Sequence, residues 1–515
     1  MTICYPALEL YMDFGAGLVS IANDTFITRS PISANWGNTA CDPSTRVAYP
    51  GNINFLLNNS EYNSGSKLGY YSPGNANLRS GFGLETPVVL KISYGGVDKY
   101  KRFYISAITP TPGIYAERQT EIVATDFMGR ILNQNITGLA VQTSKRVDQG
   151  LATLVALMPT APMSTAYSVA PETQTYLFHD ITGDTPFLTA IQRLAMTDAG
   201  YIFSKGNTTN GETFCYETRQ ERQLRASGLT LSGTMRGLSI PINETQILND
   251  ITVPYYPGSV GTTDEIMFTM PQELQISSGA TKTFEAHYTE PGVGSVGSYT
   301  SVVLNPGTGV TPVANTDYKA SKVSGSLSGD ANASLTVTVT WYANYAKVEL
   351  TNASASFDIF VMPFNLRGRI IRLYNSMTAR VQDSVANYQK YGVRPLSYPM
   401  YYQSNINFAN DMANHWFGMW HLPVAVPQFV EFIANWDTTL MAAAVSLDIG
   451  SRFTVVETVT GITADFCIMG IDLSIKDGSL LTVRYYTEPV SLAPACILND
   501  AVYGVLDSTN CRIGF

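Results

Sequence analysis

The stretch from Thr86 to Ile108 reads TPVVLKISYGGVDKYKRFYISAI and decides how the first part of the chain folds. Two runs rich in β-branched and aromatic residues flank Gly95 and Gly96. Glycine adopts, without steric cost, the positive φ that a tight two-residue turn demands. The stretch therefore predicts a β-hairpin that turns at these two glycines.

Further short apolar segments surround this hairpin within residues 1–125, and clusters of Gly, Pro, Asn and Ser separate them. The segments are Leu8–Phe14, Ile53–Leu57, Val88–Tyr94, Phe103–Ile108 and Thr120–Ala124. Such spacing is typical of a small barrel or sandwich. Residues 1–125 are thus predicted to form one β domain.

Residues 126–220 are predicted to be a helical connector followed by a small α/β module. In the connector, apolar residues recur at helical spacing and a proline ends the run: Leu151, Leu154, Val155, Met158 and Pro159. This pattern predicts a helix in KRVDQGLATLVALMP.

The α/β module reads as a strand, a helix and a hairpin. The strand is predicted over Thr175–Phe178. The helix is predicted to start with Asp184 as N-cap and Pro186 just inside it, and to stop at Gly200. A hairpin that turns between Gly206 and Gly211 completes the module.

Residues 268–362 change in composition to Ser, Thr, Gly, Val and Ala with few charges. Alternating residues predict a half-buried strand at Leu335, Val337, Val339 and Trp341. Ala346–Leu350 and Phe357–Val361 read as further strands of the same unit. We therefore expect an inserted immunoglobulin-like β-sandwich here, with linking β segments on both sides at residues 221–267 and 363–402.

The end of the chain is predicted to contain a helix and a second β unit, residues 403–490, and then an arm. The helix carries Phe408, Met412, His415 and Trp416 on one side. Residues 491–515 are too short for a domain but rich in apolar side chains. We expect this C-terminal arm to pack against another part of an assembly, because a solvated tail would be polar.

Charged residues make up only 14% of the 515 residues, against 45% hydrophobic residues, and the formal net charge is −9. Interface cores are depleted in charge and enriched in aromatic residues, so this balance favours extensive contact between subunits. The negative charge argues against a protein that holds nucleic acid through clustered Lys and Arg. DNA could pass such a protein without being held.

Six cysteines are scattered singly: Cys4, Cys41, Cys215, Cys467, Cys496 and Cys511. They form no C-x-x-C pair, so free and mostly buried thiols are predicted. The opening residues do not read as a signal peptide, and no stretch reads as a membrane span. We therefore expect synthesis and folding in a cytoplasm.

No nucleophile elbow, zinc-binding H-E-x-x-H helix or phosphate-binding glycine loop occurs in the sequence. Of the four histidines, only His415 and His421 are close together, with Trp416 and Trp420 between them. An aromatic packing cluster is favoured there over a metal or ligand site. The sequence thus predicts no catalytic, cofactor-binding or metal-binding residues and no cofactor. Paired carboxylates for glycoside hydrolysis leave no sequence signature and stay open.

Several short segments are spread over almost the whole chain, and their order and spacing together form a recognisable pattern. They are YMDFG from Tyr11 with PGNINFLLNNSEYNSGS from Pro50, the stretch from Leu84 that closes with Ala124, Asp126 and Leu132, ETQILNDITVPY from Glu244, VANYQKYGVRPL with Tyr391, Gly392 and Arg394, a closing unit in which Ile449-Gly450 precedes a strand and Gly470-Ile471 opens another, and Tyr503 to Thr509. Together these segments resemble the hub and minor tail proteins of tailed bacteriophages.

The resemblance implies a mainly β, α+β protein with two tail-tube-like β-barrel domains, which trimerises so that three subunits imitate the hexameric ring of the tail tube. Implied partners are further copies of the chain, the tail tube or distal tail protein, the tape measure protein, and tip fibre or receptor-binding proteins. Genomic DNA would pass through without specific binding. The implied location is the virion tail tip. The insertion at 268–362 is longer than the family core.

Two other functions stay open at this point. One is a carbohydrate-binding or glycan-degrading tail-tip protein, motivated by the aromatic content and the inserted sandwich. The other is an unrelated β-rich capsid or pilus-like subunit. The favoured interpretation is a structural, non-enzymatic hub.

Overall fold

The computed structural model describes residues 3–25, 31–39, 42, 44–111, 118–136, 141–169, 175–178, 185–242, 244–289, 299–326, 328–423, 426–476 and 479–490. Strands dominate these residues, so the protein is mainly β, as predicted. His179, Asp184, Cys41, Cys496, Cys511 and the arm at 491–515 lie outside the described residues, and the predictions made for them stay predictions.

The elements follow one another in four stretches of the chain. The first contains β1 (Ala7–Asp13), β2 (Leu18–Ser20), β3 (Ile32–Gly37), β4 (Asn52–Asn58), β5 (Pro87–Tyr94), β6 (Val97–Thr111), β7 (Gln119–Thr125), α1 (Phe127–Ile131) and β8 (Asn135–Ile136). The second contains β9 (Gln142–Lys145), α2 (Val147–Ala156), β10 (Thr165–Tyr167), β11 (Tyr176–Phe178), β12 (Thr185–Pro186), α3 (Phe187–Asp198), β13 (Tyr201–Lys205), β14 (Thr213–Glu217), α4 (Arg219–Leu224), β15 (Ser227–Ser232), β16 (Gly237–Ser239) and β17 (Asp250–Tyr255).

The third stretch contains β18 (Gly258–Thr269), β19 (Leu274–Ile276), β20 (Thr281–His287), β21 (Tyr299–Leu304), β22 (Tyr318–Ser321), β23 (Leu335–Trp341), β24 (Tyr345–Asn352) and β25 (Ile359–Tyr374). The last contains β26 (Met377–Gln382), α5 (Val385–Tyr391), β27 (Pro395–Ser397), α6 (Ile406–Trp420), β28 (Phe429–Ile433), α7 (Thr438–Ser446), β29 (Arg452–Glu457), β30 (Ile462–Lys476) and β31 (Leu480–Pro489).

The hairpin predicted from the opening stretch is confirmed. β5 and β6 pair antiparallel down to Tyr94 and Val97, so Gly95 and Gly96 alone form the turn. Both glycines have positive φ, +60° and +82°. The strands predicted around β1, β4 and β7 are also present.

The largest sheet has thirteen strands, and its main path runs β16-β28-β31-β30-β3-β4-β7-β6-β5-β1-β2. β29 pairs with β30, and β15 pairs with β29. The prediction of two separate β-barrels is wrong. Within the described residues, strands from both ends of the chain share one open sheet, and no sheet closes into a barrel.

Two glycines explain how the two halves merge into one sheet. β3 and β30 pair antiparallel, and the pairing ends with Gly37 opposite Gly470. A Cβ atom at Gly37 would lie 2.4 Å from the Met469 carbonyl oxygen, and one at Gly470 would lie 2.4 Å from the Asn38 carbonyl oxygen. The backbones therefore approach too closely for any side chain. We call the β3–β30 pairing the seam.

Helix α7 was missed by the sequence analysis, which predicted only a β unit between the helix that carries Trp416 and the C-terminal arm. Asp437 caps it by accepting a hydrogen bond from the Thr439 amide at 2.7 Å. The helix contacts β5 and β6 and buries Leu440, Met441 and Ala444. Its run of Ala, Met and Val lacks an amphipathic signature because most of its surface is buried.

The connector helix α2 and the β13–β14 hairpin of the α/β module are present as predicted. Helix α3 starts later than predicted: Pro186 takes the N-cap position, outside the helix, with extended ψ. At the other end Ala199, not Gly200, adopts the left-handed conformation. Gly200 is needed because a Cβ there would lie 2.5 Å from the Tyr216 ring.

β18 to β25 form a five-stranded and a three-stranded sheet around a hydrophobic core of their own. β23 is confirmed, with the predicted alternation of exposure. The strand predicted from Phe357 begins at Ile359 and continues to Tyr374. The domain boundaries 268–362 and the immunoglobulin-like topology stay predictions.

β17 pairs with β26 and β27 in a small sheet, and α6 packs on β17 and β26. The buried face of α6 includes Ala409, Met412 and Trp416, while Phe408 and His415 lie at its sides. No helix of the described chain is long and apolar enough to cross a membrane. The thiols of Cys4, Cys215 and Cys467 are buried and are not part of a disulfide, as predicted.

Candidate functional site

The solvent-facing side of the main sheet at the seam is the candidate functional site. Successive side chains of a strand point to opposite faces of a sheet. On β3, Ala34 and Trp36 are buried in the core, whereas Ser33 and Asn35 face outward. The same alternation on β4, β30 and β31 places polar and charged side chains outside and buried apolar side chains beneath them.

The strand register arranges these outward side chains in two rows that cross the seam without interruption. The first row runs through Glu431, Arg484, Asp472, Asn35, Asn52 and Thr125. The second runs through Thr482, Ser474, Ser33 and Asn54. We call these ten residues the polar face. Its second row carries no charge.

The charges of the polar face are compensated locally. Arg484 donates to Glu431 at 2.7 Å and lies 4.0 Å from Asp472, so its one positive charge has two carboxylate neighbours. Partial burial raises the pKa of Asp472, and Arg484 opposes this shift. No cation of the polar face is left to hold a phosphate group.

Two buried lysines lie behind the seam, and one of them, Lys99, links the first part of the chain to the last. Lys99 Nζ lies 3.2 Å from Asp448 and Lys101 Nζ lies 3.2 Å from Asp126. Asp448 also accepts a hydrogen bond from Trp36 Nε1 at 2.8 Å. Burial acts to raise the pKa of Asp448, but the Lys99 charge and the Trp36 bond outweigh it, so this pKa is lowered.

Sequence reasoning missed this buried charge cluster, although one signal was available. Lys99, Lys101 and Phe103 are spaced two residues apart in a strand, so they must share one face. Phe103 is fully buried in the core. A lysine that shares a strand face with such a residue needs a carboxylate partner, which is Asp126 after the neighbouring strand β7 for Lys101 and the distant Asp448 for Lys99.

The main sheet leaves one side of β2, β15 and β16 without a strand partner in the described residues. Unpaired N–H and C=O groups of an edge strand can pair with another chain. Leu18 and Val19 of β2 are 39% and 42% exposed. These edges are suited to extension of the sheet by a second polypeptide.

The two neighbouring histidines pack against aromatic rings. The His415 ring lies 4.9 Å from that of Trp416, and the His421 ring stacks on Phe417 at 4.5 Å. Burial and the nearby Arg219 and Arg46 hold the pKa of His415 well below its usual range, so its ring is neutral. Within the described residues, no group of three or more His, Cys, Asp or Glu could hold a metal ion.

Two segments that carried the sequence resemblance meet in space. The Asn249 side chain donates to the Gly392 carbonyl at 2.9 Å and accepts from the Arg394 amide at 2.7 Å. Asp126 accepts from the Gly51 and Met128 amides. In each of these contacts a side chain bonds to a backbone N–H or C=O group, so the contacts hold the backbone of these segments in place.

The closing unit of the resemblance differs from its prediction at one position. Ile449-Gly450 precedes β29, as predicted, but Gly470 lies inside β30 and does not open a strand. The register shifts between Ile468 and Gly470 as β30 passes along β31. The segment from Tyr503 to Thr509 lies outside the described residues.

Comparison with protein-family models and with curated protein sequences gives no match. Solved structures give partial likenesses. The 43 kDa tail protein of prophage MuSo2 from Shewanella oneidensis has 10% identity and a TM-score of 0.45, over 94% of this chain and 98% of that one. A tail protein from Neisseria meningitidis has 10% identity and a TM-score of 0.48, over 94% and 97%. Prophage tail protein gp18 from Listeria monocytogenes has 8% identity and a TM-score of 0.41, over 94% and 95%. These TM-scores, all below 0.5, do not establish a common fold.

Proposed function

We propose that this chain is a structural virion protein that forms a ring-shaped hub at the distal end of a phage tail. The hub joins the tail tube to tip or receptor-binding proteins and surrounds the DNA exit channel. The polar face is the observation that carries this proposal. Its rows of Ser, Thr and Asn have no unpaired cation, so an anionic polymer meets no phosphate-binding contacts and slides past.

The open strand edges supply the proposed contact between subunits. Each chain already joins its two halves edge to edge at the seam. β2 of one copy pairs with β15 or β16 of the next, which repeats this kind of contact between copies. Head-to-tail pairing of this sort closes into a ring when the rotation fits, and we propose three copies per ring. Closure also removes the exposed edges.

Further partners follow from the proposed place in the tail. They are the tail tube or distal tail protein on one side, tip fibre or receptor-binding proteins on the other, and the tape measure protein inside. The inserted sandwich is a peripheral domain and the C-terminal arm packs on another part of the ring. The hub acts without catalysis, and it is made in the host bacterial cytoplasm.

Electron microscopy of the purified protein tests this proposal. Class averages should show rings with threefold symmetry and a central opening. Class averages that contain only compact single copies, at concentrations where other ring proteins assemble, contradict it.

One observation favours a second candidate, a glycan-binding tail-tip protein. On the sandwich, Tyr342 and Tyr345 stack at 4.6 Å, and Tyr342 is 42% exposed. An exposed aromatic ring offers an apolar face to a sugar ring. Binding of host cell-wall glycan that is lost in Tyr342→Ser would support this function, and absence of binding by the wild type would exclude it.

A further inference from the structure

A small pocket opens where the described chain reaches Val490. Its lining includes Arg219 and Arg222 from α4, His415 and Trp416 from α6, and Glu488 near the end of β31. The cavity has a volume of about 30 Å³. None of these residues belongs to the polar face or to the seam.

Cations and aromatic rings alternate in the wall of the pocket. The Arg46 guanidinium lies 4.6 Å from the Trp416 ring and 4.3 Å from the Tyr201 ring, and the Arg222 guanidinium lies 3.5 Å from the Tyr201 ring. Glu488 faces Arg46 at 3.4 Å and Arg222 at 3.7 Å, and it accepts from the Tyr201 hydroxyl. The wall therefore holds several guanidinium groups around one carboxylate.

Three buried donors of residues that line the pocket lack an acceptor among the described residues: Arg219 Nε, Arg222 Nη2 and Trp416 Nε1. Arg222 and Trp416 are almost completely buried, at 4% and 1% exposure. A buried donor without an acceptor is costly, and more so on a charged group. Arginine and indole N–H groups cannot accept a hydrogen bond, so only an acceptor can complete the set.

The other polar groups of the lining do not supply the missing hydrogen-bond acceptor. Burial and nearby guanidinium groups lower the pKa of His415, so its neutral ring has one acceptor nitrogen, but this nitrogen accepts from none of the three N–H groups. Burial raises the pKa of the Cys467 thiol to about 12, so no thiolate forms there at neutral pH. Arg219 and Arg222 have other carboxylate partners, Asp411 and Glu217, but these leave the named N–H groups unused.

We propose that this pocket binds a carboxylate group. The two oxygens of a carboxylate can accept from the single unused N–H groups of Arg219 and Arg222 and from the indole N–H of Trp416. The cavity volume fits a carboxylate better than a phosphate. One water molecule needs about 10–15 Å³ of such volume, so the cavity holds roughly two oxygen-sized atoms. A carboxylate has two oxygen atoms, whereas a phosphate has four. The carboxylate is either a free small molecule or an acidic side chain of the chain itself. Residues 491–515 follow directly from the pocket and contain Asp500 and Asp507.

Titration of the full-length protein with formate tests the proposal, with calorimetry and the thermal midpoint as readouts. Formate should bind saturably and raise the midpoint, whereas inorganic phosphate at equal ionic strength should not. Arg219→Gln should weaken formate binding about tenfold or more, because it removes a charge-assisted bond. The variant should fold, since its partner Asp411 is 37% exposed and becomes solvated.

A second variant and a matched control keep the result interpretable. Arg219→Lys keeps the charge beside Asp411 but lacks Nε, so formate binding should weaken without a change in folding. Arg380→Gln is the control, because Arg380 pairs with Asp250 in the β17–β26 sheet. It should leave formate binding unchanged. Equal formate binding by the wild type and by both Arg219 variants overturns the proposal.

The double variant Asp500→Asn, Asp507→Asn separates the two sources of the carboxylate. If the double variant binds formate more tightly than the wild type does, the proposal is supported and the natural occupant of the pocket is an aspartate side chain of this chain. Equal binding supports it with a free carboxylate as the ligand. Absence of formate binding in both the wild type and the double variant overturns it.

Discussion

At Gly470 the two halves of the chain come closer than a side chain permits. A Cβ atom there would lie 2.4 Å from a backbone oxygen of Asn38, and backbone cannot move aside as a flexible side chain can. We expect Gly470→Ala to lower the free energy of unfolding by about 1–3 kcal/mol, as overpacking typically does. Urea denaturation measures this change.

Gly418 provides the control for that substitution. It lies in α6, and a Cβ there would meet nothing within 4 Å. Gly418→Ala should be neutral or should stabilise the protein by about 0.5–1 kcal/mol, because alanine favours a helix. Equal effects of the two substitutions would show that the seam does not require glycine.

Asp198 predicts a particular dependence of stability on pH. Burial raises its pKa to about 6, although it accepts hydrogen bonds from Tyr216 and from the Gly200 amide. Because the pKa of Asp198 is higher in the folded state than in the unfolded state, the free energy of unfolding falls as the pH rises. The contribution of Asp198 to stability is complete below its unfolded-state pKa of about 4 and is lost as the pH rises through 6. Asp198→Asn should therefore exceed the wild type in stability at pH 7.5, by about 1–3 kcal/mol, and match it at pH 4.

Asp437 is the control with the opposite sign. Its hydrogen bonds to Thr439 at the start of α7 lower its pKa, so its contribution is present above the unfolded pKa and is lost as the pH falls. Asp437→Asn should lower the thermal midpoint at pH 7.5. If Asp198→Asn also lowers the midpoint at pH 7.5, the assigned shift is wrong.

At the scale of elements, the β18–β25 ribbon offers a clean place to remove the sandwich. Val260 and Ile371 are opposite each other in antiparallel pairing, so a two-residue Asn-Gly turn can join them and replace residues 261–370. Ile371 and Leu373 stay in place, and they pack with Val141 and Leu177. We expect the shortened chain to be soluble and to assemble, as measured by size-exclusion chromatography. Aggregation of the shortened chain would show that the sandwich belongs to the core.

The edge strand β2 is the element on which the proposed ring depends. Val19 is 42% exposed on it. Val19→Lys should block assembly while changing the thermal midpoint little, because a charged side chain on an edge disfavours pairing with a second chain. Val459→Lys, at a position 92% exposed in the turn between β29 and β30, is the control and should assemble normally. Unchanged assembly in Val19→Lys would mean that β2 is not the contact.

Local signals in the sequence identified local structure. The β5–β6 hairpin was predictable because its turn residues and strands are contiguous. The start of α3 was misplaced because Asp184 and Pro186 fit the capping pattern, yet the helix begins at Phe187. The seam was not predictable, since β3 and β30 lie near opposite ends of the chain and pair only in the fold.

For the whole molecule, the composition indicated the chemistry of the candidate site but not its location. The scarce and net negative charge argued against clustered Lys and Arg, and the polar face contains a single cation, Arg484, which is paired with Glu431. Its position depends on the register of β3 with β30 and β4, which no residue pattern within one strand reveals. The buried pair of Lys99 with Asp448 likewise joins distant parts of the sequence, whereas Lys101 and Asp126 lie on and next to the neighbouring strands β6 and β7.

The mass of the assembled protein in solution tests the central claim most directly. Native mass spectrometry at micromolar concentration should show a particle of three times 56.1 kDa, the mass of one chain, because three copies remove the open edges by closing a ring. Dilution should dissociate this particle into single chains without an intermediate of open, growing oligomers. A single species of 56.1 kDa at every concentration tested would contradict the account.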